Sequence, residues 1–522
     1  MRCGPDGCVD YLTSAMVVKD DDRTEEDRMQ LSRVAVLGGG PGGLYAARLL
    51  KLAQRHCEVV VHEQGERDTT FGFGVGLAAG TQRKLDAADP DTLRDIQAAG
   101  RRHDMTMDVG GAVARVRNDN LIGIARTELL DVLQRHAEKA GVRLEYGVRR
   151  TVADLDADVV IAADGVSSAT REAGDFGAHV DLGRGLFLWC GAGFALDDAV
   201  FAPVDTGHGT FVTHAYPYAA DRSTFLIETD EPTWRSAGLD TAVVEGDASD
   251  AVSLDYLQDV FRRHLHGHDL IGNRTRWQRF RTVVCDRWSD GRVVLLGDAA
   301  HTAHFSIGSG TKLAMEDAIA LAEALGEEPD PATAFARYED ARRPAVERLQ
   351  ELARRSRLWW ESFPSRTHLP VERLMVSYMT RAGNVPLDRF AVTSPDVVGT
   401  ALGQFAGVTA QVPPDLSGWV LRAHVAADDL DAVVVDVQVD DPWGAEADGI
   451  VEAAAAGGAA TFRVVGPPDR PAVLTRLDLA ERLRMETKGM VVVEGPADLR
   501  DDLAAGLVSG RTDLVRVTGE AS

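Results

Sequence analysis

Apolar residues in this chain follow two rhythms, and the points where one replaces the other mark its organisation. Unbroken apolar runs at 34–37, 59–61 and 159–163 read as strands buried on both faces, the pattern of a parallel sheet covered by helices. Helical spacing follows the first run, returns before residue 100, and is expected again from 122 to 140, with a short strand at 143–146. Between 175 and 285 the runs become short and alternating, as at 209–216 and 223–228, and are expected to be antiparallel strands. The parallel rhythm resumes at 292–296, followed by a helix over 311–325 and more helix through Trp359 and Trp360 to about 382. Four further strands are expected at 432–439, 461–465, 490–493 and 514–517, with helices between them.

The first strand runs into Gly38-Gly39-Gly40-Pro41-Gly42-Gly43, with Gly38, Gly40 and Gly43 at the Gly-x-Gly-x-x-Gly spacing. Such a turn bends tightly at the first glycine, admits a pyrophosphate at the second and packs helix on strand at the third. The unpaired N–H groups and the dipole of the helix N-terminus favour the phosphates. The second strand ends at Glu63, about where an acid must meet a ribose hydroxyl. Between two strands and with that acid, the motif reads as a dinucleotide site.

Composition narrows the class without changing it. The chain has 522 residues, 45% of them hydrophobic, enough for two or three domains. A formal net charge of −25 argues against non-specific binding to nucleic acid or to an acidic membrane surface. The five cysteines are scattered, which fits reduced thiols and a cytoplasmic protein rather than a disulfide framework. Cys3 and Cys8 lack the second pair a zinc clip needs, and no metal site is expected. The polar, acidic stretch 1–32 reads as a mobile extension without the apolar core of a secretion signal.

Three separated motifs, Gly38–Gly43 with Glu63, Asp164-Gly165 with Arg171, and Gly297-Asp298-Ala299-Ala300-His301, together resemble the single-component flavoprotein aromatic hydroxylases. The block from Thr275-Arg276-Trp277 through Phe280-Arg281 and Arg287-Trp288, then His304-Phe305-Ser306 and Gly308 to Asp317, is similar to the branch of salicylyl-CoA 5-hydroxylase and anthraniloyl-CoA monooxygenase. Arg342-Arg343-Pro344 and Tyr378-Met379-Thr380-Arg381 carry the same likeness. The resemblance implies a Rossmann-type FAD-binding domain over 33–174 and 286–400, with an inserted antiparallel substrate sheet over 175–285. It implies FAD held by Gly38, Gly40, Pro41, Gly42, Gly43, Glu63, Arg126, Asp164, Asp298, Gly308, Gly310 and Thr311. Asp298 would meet the ribityl chain, and the helix after it would aim its N-terminus at the flavin's pyrimidine edge. NAD(P)H is implied as a transient co-substrate. A flavin C4a-hydroperoxide would deliver hydroxyl to an electron-rich substrate, so no catalytic triad is needed. Candidates for contact with the reacting centre are His304, Phe305 and Tyr216.

The subgroup implies hydroxylation or epoxidation of an aromatic or conjugated acyl group, held as a thioester on coenzyme A or an acyl carrier protein. Arg274, Arg276, Arg279 and Arg281 read either as a seat for the carrier's phosphate or as an ordinary solvated strand face. Longer members of the branch end in a complete flavin-binding barrel. A barrel takes about 250 residues, and the segment 401–522 is expected to be a small α/β domain of about four strand–helix units, a half-barrel. Competing readings are a flavin reductase on the same fold, separable by its indifference to oxygen, and a non-catalytic flavin-binding scaffold.

Overall fold

The computed structural model describes residues 29–67, 72–118, 121–242, 246, 248–308, 310–427 and 429–519. Most of the acidic N-terminal stretch, with Cys3 and Cys8, and also Phe71, lies outside them.

The unbroken apolar runs form the centre of a six-stranded sheet. Its order is Ser289–Asp290, Val293–Leu295, Val159–Ala162, Arg33–Leu37, Glu58–His62, Arg143–Glu145, all parallel except the first, an edge strand. Val34, Val36, Val159, Val160 and Ile161 have no exposed surface, and helices Pro41–Ala53, Arg126–Ala140 and Gly310–Glu327 contribute to the same core. From Arg33–Leu37 the chain moves outward to one side, then returns to place Val159–Ala162 on the other. That reversal opens a crevice beyond the carboxyl ends of these two strands, where the two turns Gly38 and Asp164 sit.

One expected helix begins late. Ile122–Ala125 is a strand, paired antiparallel with Gly74–Leu77, and the helix starts at Arg126. The pairing sets Gly76 opposite Gly123, and β-branched Ile122 and Ile124 suit a strand. A non-local partner thus overrides a local helical rhythm.

The alternating segment forms a second, eight-stranded sheet, and it recruits Met105–Val109 and Ala112–Val116 from well before residue 175. Register fixes what shares its face. Phe187 lies opposite Glu228, Trp189 opposite Leu226, His214 opposite Leu226 and Phe201, Tyr216 opposite Thr224, and Val212 opposite Glu228. The intervening residues Leu188, Cys190, Phe211, Ala215, Phe225 and Ile227 point the other way, into a core with Leu257, Phe261 and Leu265. The first face therefore carries rings and polar groups towards the turn Phe305–Ile307 and the helix Pro331–Glu361.

The last 90 residues contain Val433–Asp436, Thr461–Val465, Met490–Pro496 and Leu514–Thr518 as four parallel strands in sequential order, linked by helices Ala445–Gly457, Arg470–Thr487 and Arg500–Val508. Sequential order without a reversal is the order of neighbouring strands in an arc of a βα barrel. The arc shares one apolar core with the helices Val371–Thr380, Leu387–Thr393 and Pro395–Ala406. Helix Arg470–Thr487 is buried continuously from Val473 to Leu483. Its Glu481 takes both guanidinium edges of Arg366, at 2.8 and 2.5 Å, with Arg366 1% exposed.

Removing one member of such a buried pair strands the other charge. Arg366→Ala is expected to cost about 3–5 kcal/mol in chemical denaturation, and truncation after residue 400 is expected to leave the preceding helices unable to fold. A truncated chain with the full-length melting temperature would refute the shared core.

Candidate functional site

Around the crevice, sterics first define a cradle. Gly38 has φ +105°, and a Cβ there would lie 2.2 Å from the carbonyl oxygen of Ala163. A Cβ on Gly43 would lie 2.2 Å from Gly38 O, and one on Gly42 2.6 Å from Leu296 Cδ2. These three glycines press strand, helix and neighbouring strand together. Gly40 differs: its backbone is extended, a Cβ there would meet nothing within 4 Å, and it caps helix Pro41–Ala53 without a side-chain hydrogen bond. The helix end is thus an open seat for an anion. Glu63 is tied into the same turn, its carboxylate accepting from Gly39 N and Gly65 N, each at 2.7 Å.

Two acids close the far side. Asp164 accepts from the Thr170 hydroxyl at 2.9 Å through one oxygen, while its buried Oδ1 has no partner. Asp298 follows Gly297, whose φ is +62°, and a Cβ on Gly310 would lie 3.8 Å from Asp298 Oδ1. The N-terminus of helix Gly310–Glu327 therefore stands beside this carboxylate. Arg171 stitches the two turns, donating to Val166 O at 2.7 Å and Ala299 O at 3.0 Å. Asp317, fully buried, holds the second turn: it accepts from Arg342 Nε at 2.8 Å and Gly297 N at 3.3 Å, with His301 Nε2 at 2.9 Å. Asp298 opens its surface to the cleft, but surrounding protein raises its carboxyl above the ordinary range, opposed by Arg126 and His301. Burial likewise lowers the Arg126 guanidinium, opposed by Asp298. Together, an uncapped helix, an orphaned buried carboxylate oxygen and a polarised Arg–Asp couple fit a long nucleotide cofactor such as FAD.

Beyond the cleft lies a chamber walled by rings. Phe305 packs against Phe187 at 4.9 Å and Phe280 at 5.9 Å; His214 packs against Trp360 at 4.1 Å and Phe201 at 5.2 Å. His304 lies 4.8 Å from Phe280, and burial, chiefly, with Arg357, His214 and Arg381 nearby, holds its imidazole well below its ordinary pKa. Four buried polar atoms in this region have no hydrogen-bond partner: His214 Nε2, Glu228 Oε1, Trp189 Nε1 and Trp360 Nε1. His214 Nε2 is 3.7 Å from Glu228 Oε2, outside hydrogen-bond reach. A groove of about 570 Å³ beside these rings is lined by Val212, Glu228, Trp360, Arg184 and Trp443 among others.

Of the residues expected from sequence, the glycine turn, Glu63, Arg126, Asp164, Asp298 and Gly310 surround one cleft, with Pro41 and Thr311 in the first turns of their helices. Gly308 ends the short turn Phe305–Ile307 in a left-handed conformation, φ +62°. His304 and Phe305 reach the chamber. The Tyr216 hydroxyl donates to Gly74 O at 2.7 Å, and burial raises it to about 12. Its proton is committed to fixing the glycine strand Gly74–Leu77. The arginine run is dispersed: Arg279 binds Glu231 and the carbonyl of Arg184, and Arg276 binds the carbonyl of Gly246. Sequence reading included Asp317 in a motif without giving it a role and missed Glu228 and Ser356, which announce themselves only through partners distant along the chain.

Comparison with known proteins agrees with this geometry. Residues 126–353 match the FAD binding domain family. Salicyloyl-CoA 5-hydroxylase of Streptomyces sp is 40% identical over 405 residues, 76% of this chain and 75% of that protein. The 3-hydroxy-4-methyl-anthranilyl-(aryl-carrier protein) 5-monooxygenase of Streptosporangium sibiricum is 38% identical over 68% of this chain and 95% of its own. The solved tetrameric form of 2-methyl-3-hydroxypyridine-5-carboxylic acid oxygenase shares the fold, with a TM-score of 0.53 at 21% identity over 64% of this chain and 94% of that one. No described helix is long and apolar enough to cross a membrane.

Two glycines separate architecture from binding. Gly40→Ala is expected to fold with an unchanged apo melting temperature yet to weaken flavin retention at least about tenfold, because its methyl fills the anion seat. Gly38→Ala should destabilise the apoprotein itself, measured by the same melts, because its methyl meets backbone.

Proposed function

The chain belongs to the FAD-dependent aromatic monooxygenases, and from that premise we propose that its substrate is an aromatic acyl group carried as a thioester, with the acyl ring in the chamber and the arm in the groove. When bound, FAD accepts hydride from NAD(P)H and activates O2, so that one oxygen atom enters the substrate and the other leaves as water. The residues of this chain bind, orient and shield. The open helix end at Gly40 would take the pyrophosphate, Glu63 a ribose, and Asp298 the ribityl chain. The N-terminus of Gly310–Glu327 would favour negative charge on a bound flavin.

His304 is given a polar direction by its neighbours. Ser306 N–H points at its Nδ1 at 3.4 Å, and the Ser306 hydroxyl lies 2.8 Å from the same atom. Arg381 can only donate, and it donates to Ser356 Oγ at 2.7 Å; Ser356 and Ser306 hydroxyls are 2.7 Å apart. Each hydroxyl then passes its hydrogen onward, so Nδ1 accepts and Nε2 carries the proton. A neutral His304 with an N–H donor suits an oxygen or nitrogen substituent on the acyl ring. Low polarity and ring walls keep water from the reacting face.

The carrying observation is the set of buried, unpartnered polar atoms on Trp360 and Glu228, which line the open groove, and on His214, packed against Trp360 beside it. Such atoms are costly without a ligand. The open groove fits a tethered substrate better than a free acid, and the names of the two thioester-linked relatives support that reading.

In substrate-dependent NAD(P)H oxidation coupled to product formation, aromatic acyl-CoA thioesters are expected to exceed the matching free acids at least about tenfold in kcat/KM. Equal turnover of the free acids would sink the thioester assignment. Acid should also matter for stability. His304 is neutral when folded, with its pKa depressed, so below the ordinary value of 6.5 the unfolded chain gains a proton that the folded one refuses. Stability is expected to fall as pH drops below 6.5, and His304→Gln should flatten that dependence in thermal melts.

A further inference from the structure

A second cavity, of about 870 Å³, lies in the C-terminal arc and meets the substrate groove at Ser365, which lines both. Its walls include His368 and Leu369, Arg484 and Met485 near the end of helix Arg470–Thr487, Lys488, and Met490 at the start of a strand. The volume falls within the range of small-ligand pockets, about 300–1,000 Å³.

Charge is unevenly matched here. Glu481 is spent on Arg366, through both of its oxygens. Asp513 accepts from Arg484 Nε at 2.8 Å and Val491 N at 2.9 Å. Arg373 has no carboxylate partner among the described residues: its Nε donates to Val508 O at 2.8 Å and its guanidinium lies 5.7 Å from the Phe405 ring centre. Arg373 Nη2 stands 3.5 Å from the Cβ position of Gly510, which lines the cavity, whereas Arg484 is spent: its Nη2 pairs with Asp513 at 2.8 Å and its Nη1 donates to the Gly510 carbonyl. Arg373 is held below its ordinary pKa, by burial first and by Arg484 second. Lys488, exposed at the helix end with φ +58°, is a second cation with no acidic partner among the described residues. In a chain of net charge −25, Arg373 and Lys488, neither with a carboxylate partner among the described residues, leave a seat for an anion at this cavity. Leu369, Met485 and Met490 provide apolar surface beside it for a flat base.

We propose that this cavity binds the phosphorylated nucleotide end of a coenzyme A thioester, whose arm follows the groove past Ser365 to the aromatic chamber. The inference rests on the thioester reading above and assigns the C-terminal arc a role: it is the platform for the carrier rather than a second flavin site. The size of the cavity selects a nucleotide over the lone phosphate of a carrier protein's arm. The thioester lies at the other end of the arm and stays intact, so no bond is made or broken here.

The test needs neither turnover nor a known acyl group. Full-length flavin-loaded protein is titrated calorimetrically with adenosine 3′,5′-bisphosphate and, separately, with 4′-phosphopantetheine. Saturable, salt-sensitive binding of the bisphosphate is expected, weakened at least about tenfold by Lys488→Asn and by Arg373→Met. Asparagine tolerates the left-handed backbone at 488, so that variant keeps the fold if the arginine variant does not. No binding of the bisphosphate, binding of 4′-phosphopantetheine alone, or binding indifferent to Lys488→Asn would each overturn the proposal. A preference for thioesters in turnover together with a null titration would remove this site and leave the substrate reading standing.

Discussion

A single buried carboxylate, Asp317, governs the geometry of the cofactor cleft. It has no exposed surface, and Arg342, His301 and the N–H of Gly297 surround it. A charge in that position is tolerable only when its partners are fixed. Fixing them sets the Gly297–Asp298 turn in its left-handed conformation and places Asp298 beside the helix N-terminus at Gly310. Arg342 also reaches Glu316 at 3.3 Å, and Glu316 in turn accepts from Thr81 at 3.0 Å and Lys84 at 2.7 Å. The network therefore reaches helix Ala79–Ala88 beside the glycine strand. Arg171 extends the same order to Asp164 through two backbone carbonyls. Three motifs separated by more than a hundred residues thus share one electrostatic anchor.

The glycines and the acids were legible because their constraints are local. A turn with φ +105° that must lie against the next strand admits only glycine, and an apolar run that stops at an acid marks a strand's carboxyl end. The strand at 461–465 could be placed to the residue for the same reason. Partnerships were not legible. Ile122–Ala125 reads as helix until Gly74–Leu77 is known to lie beside it. Alternation alone puts His214 and Tyr216 on one face, but only the cross-strand register adds Glu228 and Phe187. The arginine run showed the opposite failure: Arg276 and Arg279, three apart in sequence, diverge in space, one to the Gly246 carbonyl and the other to Glu231, while Arg373 and Lys488 at the second cavity come from two separate segments.

The chamber is built as a low-polarity enclosure rather than as a constellation of acids and bases. Its rings supply shape and exclude water, and its His304 imidazole is held neutral. In such surroundings an N–H donor acts strongly without carrying charge, because little solvent competes for it. That explains why the His304–Ser306–Ser356–Arg381 chain ends on a guanidinium. Arginine cannot accept a hydrogen, so its presence at one end imposes a direction on the hydroxyls between. Arg381 is itself locked to Ser306 O at 2.8 Å and lies over the Tyr378 ring at 4.0 Å, which leaves the chain no slack to reverse.

The C-terminal arc shows how an incomplete barrel is stabilised. Four parallel strands in sequence cannot close on themselves, so the helix Arg470–Thr487 is buried against neighbouring helices instead of facing water. The same contacts shape the groove. Trp443 accepts at its carbonyl from Arg184, and its ring receives the guanidinium of Arg366 at 5.5 Å and that of Arg482 at 5.9 Å. Arg366 is the residue that ties Glu481 into the core. One side chain therefore both fastens the arc and supports the ring at the mouth of the groove. A groove wall that rests on a buried ion pair has its position set by folding.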